Sequence, residues 1–171
     1  MWAAELFDLL IWKADLDTYG IWPRTTIGLR NILLAPFLHV GLRHLIANTV
    51  PFVVLGWLVM VRSTREFVLV SVLSMLVSGV GIWILGSTNS VHLGASGVIF
   101  GYLGYLLARG YFERSLQSIL IAIIILFFYG GMLWGVLPLQ SGVSWLGHTF
   151  GLIGGAWSAY IIAQRRTTFL H

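Results

Sequence analysis

The sequence has no cysteine and very little charge. Asp and Glu together supply 6 of its 171 residues and Lys and Arg 10, a charged share of 9%. The missing cysteine excludes a disulfide framework and a thiolate metal site. It leaves the redox compartment open, because such an absence fits either side of a membrane. The missing charge excludes a water-soluble globule, which must clothe its surface in charge. A chain that is 58% hydrophobic with mean hydropathy +0.89 cannot do so. The solvent must be lipid. A basic start is also lacking: residues 1–12 carry Glu5 and Asp8, so they do not read as a signal peptide. No internal repeat or low-complexity tract stands out.

What charge there is sits in the gaps between apolar runs. A net charge of +4 could suggest a nucleic-acid partner, but this distribution is the one that orients a membrane protein. Five full spans are predicted, at residues 37–61, 67–86, 91–108, 116–137 and 143–163. Each is apolar nearly all round, as helices in lipid are. Residues 1–12 are too short to cross a hydrocarbon core that needs about 20 residues. They fit an interfacial helix, a shortened span or a truncated one. Residues 13–36 form a turn-bearing connection holding Gly20, Pro23, Gly28 and Pro36, with Trp22 and Arg24 as a headgroup-level pair. The expected fold is therefore all-α: one polytopic membrane helical bundle over 1–171, with five full transmembrane helices plus a short N-terminal helix.

Basic and neutral loops alternate. Arg62 and Arg65, Arg109 and Arg114, and Arg165 and Arg166 follow alternate spans, whereas residues 87–90 and 138–144 carry no charge. The positive-inside rule puts the basic set in the cytoplasm, with the C-terminus, and residues 13–36 outside. A bacterial inner membrane is the expectation for a short chain without targeting extensions.

Three polar islands interrupt the spans: Ser96 between Gly94 and Gly97, His44 with Asn48, and His148. Counted from the outer ends of their spans, all fall in one outward-facing layer; Ser96, five residues in from Val91, would lie about 8 Å down. A serine hydroxyl becomes a nucleophile when a base takes its proton, and His148 is the histidine well inside the later spans. Small-residue stripes would let their helices approach: Gly97, Gly101, Gly104 and Ala108 on one, Gly147, Gly151 and Gly155 on the other. No Asp or Glu lies inside a full span, so a Ser96–His148 dyad is expected rather than a triad. His44 and Asn48, four apart and hence on one helix face, are candidate oxyanion donors. Pro51 removes a backbone donor three residues on, and a kink is expected there.

Each residue also has a plainer reading. A membrane serine is usually a packing residue bonded to its own backbone, Asn48 alone could be interhelical glue, and His44 alone a satisfied polar group. His39 is expected to bond backbone and hold the outer loop, His92 to be interfacial, and His171 to be a tail residue. The soluble hydrolase elbow G-x-S-x-G is excluded because position 98 is Val. H-E-x-x-H is absent, and no metal or organic cofactor is expected.

Taken together, Gly94-x-Ser96-Gly97, His44-x-x-x-Asn48 and His148-x-x-Gly151-x-x-x-Gly155 resemble the rhomboid intramembrane serine proteases, from Pro23-Arg24 to Gly155. The resemblance implies a bundle whose second, fourth and sixth helices carry the site, and cleavage of transmembrane protein substrates near their outer ends. It implies Ser96 as nucleophile and His148 as base, with His44, Asn48 and the Ser96 N–H as oxyanion donors. Gly94, Gly97, Gly151 and Gly155 would support the site, and residues 116–137 would be a lateral gate. Phe100 stands where many members carry a tyrosine stacked on the histidine, keeping the ring face and losing the hydroxyl. Gly147 replaces a common alanine, and the short first helix departs from the family pattern. Two rivals stand beside this reading: a rhomboid-like protein that binds membrane helices without cutting them, and a transporter using buried His and Ser. The oligomeric state is not encoded in any motif.

Overall fold

A computed structural model describes residues 1–12, 15–139 and 142–168, with the backbone alone at 166–168. The expectations for His171 and the Arg166 side chain lie outside the described residues. The regular elements are helical. Helix α1 (Trp2–Phe7) continues as a π-helical turn, Asp8–Trp12, and lies against α3, where Trp2 Nε1 donates to Thr49 Oγ1 at 3.1 Å. The outer connection holds more structure than a plain loop: a 3₁₀ turn (Asp15–Tyr19), helix α2 (Thr26–Asn31) and a second 3₁₀ turn (Ala35–Phe37). Thr25 caps α2, its hydroxyl accepting the Gly28 N–H at 2.9 Å.

Five long helices follow: α3 (Gly41–Arg62), α4 (Thr64–Leu85), α5 (Ser96–Glu113), α6 (Leu116–Tyr129) and α7 (Trp145–Thr168). The short gaps make sequence neighbours antiparallel, so α3, α5 and α7 begin at the same end. Ser63 and Ser115 cap α4 and α6, and Arg114, left-handed at φ +51°, ends α5. Helix α3 runs through Pro51 as one element.

Three boundaries correct the sequence reading. The first long helix starts at Gly41 (φ +77°) rather than at 37, because Leu38 is extended and the chain must turn at Gly41. Helix α5 starts at Ser96 rather than near 91; residues 91–95 are apolar but non-helical, pinned by backbone bonds described below. Helix α6 tightens at Tyr129 into a 3₁₀ segment, Gly130–Val136. Among the described residues, three helices are long and apolar enough to cross a membrane by length and composition: Gly41–Arg62, Thr64–Leu85 and Leu116–Val136. Helices α5 and α7 fall short of that standard: α5 holds Arg109, Glu113 and three tyrosines among its 18 residues, and α7 holds His148 and four glycines.

Helix α5 is the centre, packed against α3, α4, α6 and α7, with Ile99, Tyr102, Leu103, Tyr105 and Leu106 buried. Its seam with α7 is backbone on backbone. A Cβ at Gly151 would collide with the Gly97 carbonyl, and one at Gly155 with that of Gly101. Three serines of α4 fill the adjoining groove: Ser71 meets the Tyr102 hydroxyl at 2.8 Å, Ser74 lies against Gly101, and Ser78 donates to the Gly147 carbonyl at 3.0 Å. At the opposite end from the helix starts, Glu113 accepts from Arg62 at 2.9 Å and Arg109 at 2.8 Å, and Glu66 accepts from Tyr105 at 2.5 Å. These bonds tie α3, α4 and α5 together.

Candidate active site

The first turns of α3, α5 and α7 surround a cavity of about 800 Å³ whose lining includes His44, Asn48, Ser96 and His148. Ser96 is the first residue of α5, so its N–H has no intrahelical acceptor and it stands at the positive end of the helix dipole. His44 and His148 are the fourth residues of their helices. The sequence reading had Ser96 five residues inside a helix; its place at a helix start is a different setting for a hydroxyl.

The segment before Ser96 is fixed by distant backbone. Ile21 and His92 exchange both backbone hydrogen bonds, at 2.7 and 3.1 Å, and the Gly94 N–H donates to the Ala35 carbonyl at 2.8 Å. Gly94 sits at φ +113°, and a Cβ there would lie 2.7 Å from Cε1 of His44. Glycine is therefore required twice over, for its conformation and for the imidazole beside it.

His148 is 8% exposed and held from two sides. Phe100, one turn along α5 from Ser96, stacks on its ring with centroids 4.1 Å apart and planes 7° from parallel. Its Nδ1 lies 2.9 Å from the Gly135 carbonyl, in the 3₁₀ segment that ends α6. A carbonyl can only accept, so Nδ1 carries the proton and Nε2 keeps its lone pair. Thr149 adds a bond to the Val136 carbonyl at 3.1 Å. Among the described residues no hydrogen bond joins Ser96 to His148.

On α3 the His44 ring takes the complementary tautomer. Its Nδ1 accepts the Val40 N–H at 3.4 Å, a weak bond, which leaves Nε2–H as a donor. Asn48 is buried; its Nδ2 donates to the His44 carbonyl at 2.9 Å and retains a second N–H. His39 is 1% exposed, its ring lies 5.1 Å from that of His44, edge to face, and its polar neighbour is the Phe37 backbone of the outer connection, short of a well-formed hydrogen bond. Burial first, then His44 and the N-terminal ammonium, push its imidazole down to about 4. Arg24, exposed in the outer connection, donates from Nη1 to the Ile84 carbonyl at 2.9 Å, satisfying the C-terminus of α4.

Sequence reasoning missed three contributors. Gly135 replaces an acid by a backbone carbonyl, which no side-chain motif reveals. Ser90 and Ser144 also line the cavity, in charge-free loops where a hydroxyl carries little signal.

The fold and cavity define an all-helical, multi-pass membrane protein with serine, histidine and asparagine gathered at one end of the bundle. The chain matches the Rhomboid domain over residues 28–165 and belongs to the rhomboid family. It is similar to the uncharacterized protein Rv1337 of Mycobacterium tuberculosis, 39% identical over 95% of this chain and 71% of that one. It is also similar to YdcA of Bacillus subtilis, which carries the provisional name of a rhomboid protease, at 29% identity over 92% of this chain and 79% of that one. The mimivirus protein L523, provisionally named a rhomboid protein, is 31% identical over 73% of this chain and 70% of its own.

Proposed function

We propose that this chain is an intramembrane serine endopeptidase that cleaves transmembrane segments of other membrane proteins near their outer ends. The observation that carries the reading is the pairing of a serine at a helix start with a histidine whose tautomer leaves Nε2 as an acceptor, both facing one cavity. Nε2 of His148 takes the Ser96 proton as Oγ attacks the scissile carbonyl. The oxyanion is met by the Ser96 N–H, His44 Nε2–H and the free N–H of Asn48. His148 then gives its proton to the leaving amine, and water, deprotonated by the same nitrogen, hydrolyses the acyl-enzyme. Base and nucleophile in free enzymes often close to full hydrogen-bond distance only with substrate bound.

In this reading α3 to α7 all cross a bacterial inner membrane, the site opens outward and the C-terminus is cytoplasmic. Helix α6 is the lateral gate. Only 6% of its most apolar stretch is buried, which favours an element that can tilt away. The test is cleavage of a transmembrane substrate in proteoliposomes, with fluorophosphonate labelling of the serine. Ser96→Ala and His148→Ala abolish cleavage with the fold retained. Asn48→Ala slows turnover by about 10²-fold, the loss of one oxyanion donor. Cleavage by the Ser96→Ala form would sink the assignment. Substrate binding without cleavage or labelling by the intact chain would favour a non-proteolytic helix binder.

A further inference from the structure

His92 is bonded on every polar atom, and the directions of those bonds can be solved. The Ser90 hydroxyl lies 2.6 Å from the Ser87 carbonyl and must donate to it, so Ser90 Oγ can only accept from His92 Nε2–H at 2.8 Å. With the ring proton on Nε2, Nδ1 is an acceptor and receives the Ser144 hydroxyl, also at 2.8 Å. A one-way chain thus runs from Ser144 through the imidazole and Ser90 to the Ser87 carbonyl. The backbone of His92 is meanwhile clamped to Ile21 in the outer connection.

His92 and Ser144 are placed alike. Ser96 follows His92 by four residues, and His148 follows Ser144 by four. The Ser144 carbonyl accepts the His148 N–H at 3.0 Å in the opening turn of α7. One imidazole therefore fixes the entry into α5 relative to the entry into α7. No other hydrogen bond among the described residues joins residues 87–95 to residues 142–148. Both His92 and Ser144 line the cavity that holds Ser96 and His148.

We infer that His92 and Ser144 are positioning residues, a bridge that holds Ser96 and His148 in register across the mouth of the cavity. The inference rests on the hydrolase reading above. The bridge needs an imidazole at 92 and a hydroxyl at 144. A small displacement of reacting groups can cost on the order of 10²-fold in rate, so loss of the bridge should slow chemistry far more than it loosens the fold.

The test compares fluorophosphonate labelling rates and substrate kcat and KM for the wild type, His92→Phe, Ser144→Ala, the double variant and Ser144→Thr, with thermal melting of each. Each single loss should slow labelling and kcat by roughly ten- to a hundredfold with KM unchanged. The double variant should be no slower than the worse single, and Ser144→Thr, which keeps the hydroxyl, should stay within about threefold of wild type. If His92→Phe fails to fold, Ser144→Ala against Ser144→Thr decides alone. Single variants at the wild-type rate, a double variant whose loss is the product of the singles, or a Ser144→Thr form as slow as Ser144→Ala would overturn the bridge. A wild type that takes no label overturns the hydrolase reading and this one with it, whereas labelled wild type with unaffected variants overturns this one alone.

Discussion

Gly94 shows how much one residue can decide. Its φ of +113° is a conformation that side-chain-bearing residues rarely adopt, and its missing Cβ leaves room for the His44 ring. Gly94→Ala would cost about 1–3 kcal/mol in backbone strain alone, and would push His44 from the cavity as well. The expected result is serine labelling reduced by at least tenfold in a protein that still inserts; labelling at the wild-type rate would mean that His44 has no part in the site. His39 makes a different prediction. It is buried neutral with its imidazole at about 4, against an ordinary value near 6.5. Between those values the unfolded chain binds the extra proton, so stability is full above pH 6.5, falls as pH drops towards 4 and changes no further below it. The component amounts to about 3 kcal/mol at most. Denaturation of wild type and His39→Phe across pH 4–7 should show a shallower slope in the variant.

At the scale of elements, the seam between α5 and α7 is where packing and chemistry meet. Gly151 lies on the Gly97 carbonyl, one residue past Ser96 and three past His148. Gly151→Ala should therefore lower stability by about 1–3 kcal/mol, the ordinary cost of overpacking, and slow cleavage as the helices part. Gly131→Ala, with nothing within 4 Å of the new methyl, should leave melting unchanged. Equal melting of the two variants would mean that the seam is looser than drawn. This seam was legible in the sequence, because glycines three or four residues apart mark a helix face that must meet another backbone. The start of α5 was not. Val91 and Leu93 extend the apolar run, and what keeps this stretch out of the helix is the pairing of His92 with Ile21 and of Gly94 with Ala35, far away in the chain. The Gly135 carbonyl was illegible for a related reason: any residue supplies one, and only the 3₁₀ end of α6 aims this one at His148. Likewise the serines of α4 read as weakly polar noise until α5 and α7 show the grooves they fill.

For the molecule as a whole, the question is which end faces out. The polar cavity and the starts of α3, α5 and α7 share one end; the Arg62, Arg109, Glu66 and Glu113 cluster holds the other. On the proposed function the cavity must open to water at one face, and the positive-inside rule, which sends the arginine end to the cytoplasm, makes that the outer face. The absence of cysteine makes the claim easy to test, since a single introduced thiol is the only one in the chain. Thr88 and Arg65 are exposed at opposite ends of α4. In intact cells a membrane-impermeant maleimide should label Thr88→Cys and leave Arg65→Cys unlabelled until the membrane is permeabilised. The reverse pattern would put the cavity on the cytoplasmic side, and with it any substrate segment that reaches Ser96. Labelling of both sites in intact cells would mean that α4 does not cross the bilayer.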